Sequence, residues 1–208
     1  MDDELMFKIV FIATYAVFAG VRVYYRSQTL GRTSEKEYSQ RTKAVVALSF
    51  AILGYFASIG LYIVVPQWIQ VFHLPLPSFV RWFGVGLAVV GIALLVWIHH
   101  TLGRQYSAKW EIQEQHELIT VGPYSRVRHP MYTTFNLFSL SVSLITANLL
   151  LVLFAIFVAI PFYWIARREE GILIDQFESE YLDYMDYTGR FLPSLSKFGD
   201  NSPEKEMV

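Results

Sequence analysis

Five blocks of apolar sequence constrain this chain more than any other feature. They cover residues 5–25, 44–65, 80–98, 131–147 and 149–166. Roughly 20 helical residues cross the ~30 Å hydrocarbon layer of a bilayer, and the first three blocks are near that length. Lys8 and Arg22 stand near the ends of the first block, where long side chains can snorkel to the headgroups. The last two blocks are shorter and meet at Ala147-Asn148, with little room for a loop, which predicts a tight helical hairpin. Pro161 lies inside the fifth. So much apolar length argues against a soluble protein with one long buried helical pair. Composition agrees: 54% of the 208 residues are hydrophobic and 17% are charged, against ~45–50% and ~25% in soluble domains. The sequence predicts an all-α integral membrane protein with five transmembrane helices, the last two forming a C-terminal hairpin.

Charge sets the orientation. Arg26, Arg32, Lys36, Arg41 and Lys43 follow the first block; Arg104, Lys109, Arg126 and Arg128 follow the third. Arg167, Arg168, Arg190, Lys197 and Lys205 follow the fifth, whereas residues 66–79 carry no Lys or Arg. The positive-inside rule places the basic segments in the cytoplasm and the N-terminus outside. All candidate chemistry then faces the cytoplasm. Residues 168–190 read as a cytoplasmic amphipathic helix. Leu173, Phe177, Tyr181 and Met185 recur at helical spacing, with acids on the other faces. Gly189 reads as its stop. Most of those acids suit a solvated face.

Several classes are excluded. The net charge of −1 offers no field for nucleic acid. Cysteine is absent, which removes disulfides, thiolate catalysis and Cys-type zinc sites. Asp2, Asp3 and Glu4 make the N-terminus unlike the basic start of a signal peptide. Gly84-Val85-Gly86 lies inside a membrane block and is no dinucleotide fingerprint. His99 and His100 point to different helix faces and make a poor metal pair. No metal is expected.

The polar residues gather at 116–132. Pro130 favours a first helical turn and marks the start of the fourth helix, with Arg128 and His129 at its mouth. Such a mouth suits an anion such as a carboxylate. It suits headgroup anchoring equally well. His116 and Glu117 precede a Gly122-Pro123-Tyr124 turn, which read alone is an ordinary loop. In an antiparallel hairpin, the exit of the fifth helix lies beside the entrance of the fourth. Glu169 is therefore expected near His129 and Tyr132, whether as a ligand group or as an interfacial ion pair with Arg128.

These residues resemble a known pattern. His116, Leu118, Ile119, Gly122, Pro123, Tyr124, Arg128, His129, Pro130 and Tyr132 are followed by the hairpin. Glu169, Glu170, Leu173, Phe177, Glu180, Tyr181, Tyr184, Arg190, Phe191, Leu192 and Pro193 come next. The whole is similar to the isoprenylcysteine carboxyl methyltransferase family, itself related to membrane phospholipid methyltransferases. The chain then divides into three transmembrane helices (1–100), a methyltransferase-like region (101–193) and a flexible tail (194–208).

The resemblance implies S-adenosyl-L-methionine as methyl donor, bound on the cytoplasmic side. It implies cofactor contacts at His116, Glu117, Leu118, Ile119, Gly122, Tyr124, His129, Pro130, Met131, Tyr132 and Glu169. Glu169 would take the cofactor's amino group. His129 and the helix-mouth N–H groups would take its carboxylate. Arg128 or Arg168 would orient an anionic substrate, and Glu170 or His116 would serve as base for an amine one. The implied partner is a lipophilic small molecule or a lipidated protein in the bilayer. Two positions depart from the family: Ile165 stands where relatives carry an Arg for the substrate carboxylate, and Gly171 where they often carry a third acid. The alternatives are a phospholipid or amine N-methyltransferase, an NADPH-dependent membrane reductase of related fold, and a non-catalytic scaffold.

Overall fold

The computed structural model describes residues 3–28, 43–102 and 118–194. The expected contacts His116 and Glu117, and all of the predicted tail beyond Ser194, lie outside the described residues. Apart from two isolated β-bridges, regular structure among the described residues is helical. The helices are α1 (Asp3–Ser27), α2 (Lys43–Val64), α3 (Pro66–Ile69), α4 (Ser78–Leu102), α5 (Pro130–Thr146) and α6 (Leu149–Tyr187).

α1, α2, α4 and α6 are long and apolar enough to cross a membrane. The fourth expected crossing, α5, has only 17 residues and lies among its neighbours, packed on α4, α6 and α1. Its sequence explains this place. Ser141, Ser143 and Thr146 are buried, and each hydroxyl turns back to a carbonyl of its own helix at 2.7–2.8 Å. Without those bonds each buried hydroxyl would cost several kcal/mol. Small residues also let helices approach closely. A Cβ at Gly84 of α4 would lie 2.8 Å from the Leu144 Cβ and 3.1 Å from the Ser141 carbonyl oxygen. The glycines of 84–86 thus include a packing residue.

The predicted hairpin is tight. Ala147 adopts a left-handed conformation at φ 48°, and its N–H closes α5 onto Leu144 O at 3.2 Å. Asn148 caps α6, its Oδ1 accepting from Leu150 N at 3.1 Å. Its Nδ2 donates to Ile69 O, and Leu74 N donates to Ala147 O at 2.7 Å. The 66–76 segment therefore closes the hairpin turn from outside.

The predicted amphipathic helix at 168–190 falls on the C-terminal half of α6, whose 39 residues join two helical stretches across a kink at Glu178. α6 continues through Arg167-Arg168-Glu169-Glu170 without interruption, because charged side chains at an interface leave backbone bonding intact. Its one non-helical residue is Glu178, at φ 48° and ψ −119°. That break re-aims the last turns, so that Tyr181 and Tyr184 become buried. Gly189 is not a left-handed helix stop, since Gly122 is the one described glycine with positive φ. Gly189 serves close approach instead: a Cβ there would lie 1.8 Å from Leu192 O.

The main core lies in the half of the bundle that holds the hairpin turn. It joins Phe7, Phe11, Tyr55, Ile59, Tyr62, Ala88, Phe138, Val142, Ile145 and Leu151. Near the entrance of α5 the buried cluster is smaller: Ala51, Val158 and Phe162, flanked by Leu48, Tyr132 and Phe135.

Candidate active site

The entrance of α5 and the middle of α6 meet, as the hairpin requires. Tyr132 Oη donates to Glu169 Oε1 at 2.9 Å, across 37 positions of sequence. His129 Nδ1 lies 3.3 Å from Glu169 Oε2, and its Nε2 lies 3.4 Å from Glu170 Oε1. The Nε2 contact is an ion-pair approach without hydrogen-bond alignment. The His129 and Tyr132 rings stack at 5.6 Å, and Tyr132 stacks on Phe162 at 4.6 Å.

The two adjacent glutamates differ sharply. Glu170 is buried, and its oxygens accept from Arg128 Nε at 2.9 Å and from Arg190 Nε and Nη2 at 2.9 and 2.6 Å. Arg128 is equally committed. Its Nη1 donates to Met185 O at 3.2 Å and also to Thr188 O, and its side chain is 8% exposed. Glu169 accepts from Tyr132 and keeps 28% of its side chain exposed. It is the carboxylate of the pair that can meet a ligand.

Charge follows this arrangement at His129. Burial alone lowers its pKa, but the carboxylates at its two ring nitrogens outweigh that and raise it above the usual value. The imidazole is thereby biased toward its cationic form, between Glu169 and Glu170.

A short C-terminal arm secures the cluster. Arg128 N donates to Gly189 O at 2.8 Å, His129 N to Arg190 O at 3.0 Å, and Gly189 N to Arg126 O at 3.1 Å. Thr133 Oγ1 donates to Phe191 O at 2.7 Å. These bonds use the two N–H groups just before Pro130, so the helix mouth offers an anion less than its sequence suggested. The Arg190 guanidinium lies over the Tyr163 ring at 5.4 Å.

The preceding turn is fixed by close packing on α4. Gly122 has φ +61°, and a Cβ there would lie 2.7 Å from Thr101 Oγ1. Pro123 is buried, Ser125 Oγ donates to Gly122 O, and Tyr184 Oη donates to Tyr124 O at 2.6 Å.

The structure thus unites Arg128, His129, Tyr132, Glu169 and Glu170, and holds Tyr124 close by. Pro130 is buried and Met131 half-buried in the first turn of α5. Leu118 and Ile119 are half-buried on the approach to the Gly122 turn, and Arg168 is half-buried beside Glu169. Sequence reasoning quoted Arg190 but gave it no role; its signal was a cation just past an amphipathic stretch that ends in Gly. Among the described residues no group of three or more His, Asp or Glu is arranged to hold a metal. A cavity of about 420 Å³ lies at the other end of the bundle, lined by Glu4, Lys8, Tyr62, His73 and Asn148 among others. It is no part of this cluster.

Comparison with known proteins finds relatives over this part of the chain. The phospholipid methyltransferase family (PEMT) matches residues 79–180, nearly half the chain. A protein-S-isoprenylcysteine O-methyltransferase of Saccharomyces cerevisiae is 33% identical over 99 residues, covering 46% of this chain and 41% of that protein. The nickel-cobalt-cadmium resistance protein NccN of Alcaligenes xylosoxydans xylosoxydans is 30% identical over 123 residues, 58% of this chain and 56% of that one. The chain therefore spans about two-fifths to somewhat over half the length of these relatives. Among solved structures, the eukaryotic intramembrane Ras methyltransferase ICMT (isoprenylcysteine carboxyl methyltransferase) matches with a TM-score of 0.53 and 19% identity. That match covers 88% of this chain and 67% of the other, and it shows a shared fold. Over α4 to α6 the chain is thus similar to the phospholipid methyltransferase family and to a protein-S-isoprenylcysteine O-methyltransferase, and it shares the fold of an intramembrane methyltransferase.

Proposed function

We propose that this chain is an S-adenosyl-L-methionine-dependent methyltransferase that O-methylates a carboxylate on a lipophilic, prenylcysteine-like substrate. It works from the cytoplasmic face of a membrane crossed five times, with α5 as the short central crossing. The observation that carries the reading is the division of labour between the glutamates. Glu170 is consumed by Arg128 and Arg190, while Glu169 stays accessible beside Tyr132 and His129.

That arrangement fits the donor. An accessible carboxylate in an apolar rim suits a ligand ammonium, and Glu169 would hold the donor's amino group. Tyr124, Met131 and Tyr132, with the approach at Leu118 and Ile119, would line its adenosine. When bound, the donor supplies a sulfonium methyl that a nucleophilic oxygen takes in line while sulfur leaves as a neutral thioether. The protein's own part is positioning and water exclusion. The aromatic stack of His129, Tyr132 and Phe162 fixes the Glu169 side of the site. The Glu170 network fixes the mouth of α5 and the arm across it. Arg128 acts through that network as a positioning residue and not as a substrate anchor.

An ionised carboxylate acceptor needs no general base. N-methylation of an amine, which the phospholipid methyltransferase match keeps in view, does need one. Glu170 is poorly suited to that role, because its oxygens already accept from two guanidinium groups.

Calorimetry on the intact protein in lipid nanodiscs tests the reading. S-Adenosylhomocysteine is expected to bind with micromolar affinity, and NADPH is expected not to bind. Heat from NADPH and none from the donor product would favour the reductase alternative and overturn this one.

A further inference from the structure

A second polar site lies at the end of the bundle remote from Glu169. Thr146, in the last turn of α5, lines this cavity, while Pro130 opens the same helix beside the cluster. The 17 residues of α5 therefore separate the two sites by about 25 Å. The cavity volume of about 420 Å³ falls within the ~300–1,000 Å³ of small-molecule pockets. Its walls come from the first turns of α1, the end of α2, the 66–73 segment and the hairpin turn.

The charges in the wall do not cancel. Glu4 and Lys8 stand one turn apart on α1, a spacing at which Glu and Lys ordinarily pair. Here they part. Glu4 turns to Arg81, whose Nη1 and Nη2 donate to its two oxygens at 2.5 and 3.3 Å. The Arg81 side chain is 4% exposed and lies over the Phe7 ring at 3.9 Å, so that pairing is anchored in the core. Lys8 turns to the end of α2, where its Nζ donates to Ile63 O at 2.9 Å. That bond uses one of its three N–H groups. No carboxylate among the described residues pairs with Lys8. With Glu4 neutralised by Arg81, the cavity keeps the positive charge of Lys8.

The remaining polar groups favour an anion too. Tyr62 is buried in the wall, and its hydroxyl bonds to no described residue. Gln67, Gln70 and His73 stand exposed at the rim, and each can donate. Thr146 and Asn148 are already spent on backbone, through Thr146 Oγ1 to Val142 O and Asn148 Nδ2 to Ile69 O. The flank is apolar. Leu5 of the wall is 52% exposed, and Trp68 and Val71 of the 66–73 segment are 71% and 81% exposed. Tryptophan at the end of membrane-length helices marks headgroup depth. A basic pocket between such helices at that depth suits an anionic lipid headgroup.

We propose that this cavity binds the phosphate of a membrane phospholipid headgroup, held by Lys8 Nζ and Tyr62 Oη, with the acyl chains leaving along Leu5 into the bilayer. The lipid bridges α1 to the 66–73 segment in the leaflet opposite the Glu169 cluster. It is a structural ligand and not a methyl acceptor, because the length of α5 lies between it and the cluster. It binds whether or not the chain transfers methyl groups.

The competing role for Lys8 is that of a plain cap, since a cation at the C-terminal end of α2 is stabilising by itself. Native mass spectrometry of the full chain, delipidated in a neutral detergent and titrated with phosphatidylglycerol, separates the two. Diacylglycerol with the same chains and inorganic phosphate serve as controls. Lys8→Met, Lys8→Arg and Tyr62→Phe are compared with wild type, and lipid-free thermal unfolding shows that each is folded. The wild type should retain phosphatidylglycerol in preference to diacylglycerol, and inorganic phosphate should not displace it. Loss of a charge-assisted bond predicts retention weakened about ten- to a hundredfold in Lys8→Met. Lys8→Arg should retain the lipid, and Tyr62→Phe should weaken it less than Lys8→Met does. A Lys8→Met protein that loses thermal stability but holds phosphatidylglycerol as tightly as wild type makes Lys8 a cap and overturns the proposal. Equal retention of diacylglycerol overturns it, as does a site that inorganic phosphate fills as well as the lipid. Should Lys8→Met fail to fold, unchanged retention in Tyr62→Phe overturns it alone.

Discussion

Glu169 and Glu170 are adjacent and chemically identical, so the structure makes a sharp prediction by giving them different duties. Glu170→Gln removes the charge that compensates Arg128 and Arg190. Breaking one partner out of a buried ion pair costs roughly 3–5 kcal/mol, because the remaining charges stay behind uncompensated. Arg128 is 8% exposed and takes that penalty in full, whereas Arg190 is 27% exposed and partly recovers it from solvent. In a chain of this size each kcal/mol moves Tm by about 2–4 °C, so Glu170→Gln should lower Tm by roughly 6–20 °C. Glu169→Gln keeps an amide oxygen for the Tyr132 hydroxyl and loses its charge beside His129 at a partly exposed site, a net effect of about 0.5–1.5 kcal/mol. Its Tm should fall by only a few degrees while donor-product binding is lost. Thermal unfolding of both variants in the same detergent, with a binding titration at low temperature, measures the contrast. Equal Tm shifts in the two variants, or a Glu170→Gln protein as stable as wild type, would refute the reasoning.

Two further predictions follow from the same geometry. Gly189→Ala should detach the C-terminal arm, because its Cβ would collide with Leu192 O at 1.8 Å; Tm should fall as in an overpacked core, by about 1–3 kcal/mol or more, and proteolysis near 188–194 should speed up. His129 has a raised pKa when folded, so its contribution to stability is complete below its unfolded value of about 6.5 and is lost as pH rises through the folded value. The Tm difference between wild type and His129→Gln should accordingly shrink from mildly acidic to alkaline pH, and a difference that grows would contradict the cationic bridge.

The sequence made the site's topology legible more readily than its chemistry. Ala147-Asn148 left no room for a loop, so Glu169 had to approach His129 and Tyr132, and it does. Which glutamate is free was not legible, because that depends on Arg190 and on the carbonyls of Met185 and Thr188, which the arm brings back onto Arg128. The continuity of α6 was hidden for a related reason. Arg167 to Glu170 read as a boundary between membrane and cytoplasmic helices, yet the backbone bends at Glu178, where no Gly or Pro marks it. The fourth apolar block is shorter than the first three, and its apolar content alone does not separate a lipid-facing helix from an enclosed one. Its serines and threonines carried the better signal, since buried hydroxyls and small side chains suit a helix enclosed by its neighbours. Arg22, which the sequence allows to snorkel, lies against His99 and Phe135 instead, residues that no local pattern connects to it.

The most direct test of the central claim is transfer of a labelled methyl group from S-adenosylmethionine by the purified protein in nanodiscs. A prenylcysteine-like acid and a panel of membrane phospholipids serve as acceptors, with Glu169→Gln as control. The account predicts base-labile label in the acid, as a methyl ester must be, no label in the lipids, and none with Glu169→Gln. Stable label in an amine headgroup, or transfer that survives Glu169→Gln unchanged, would contradict it.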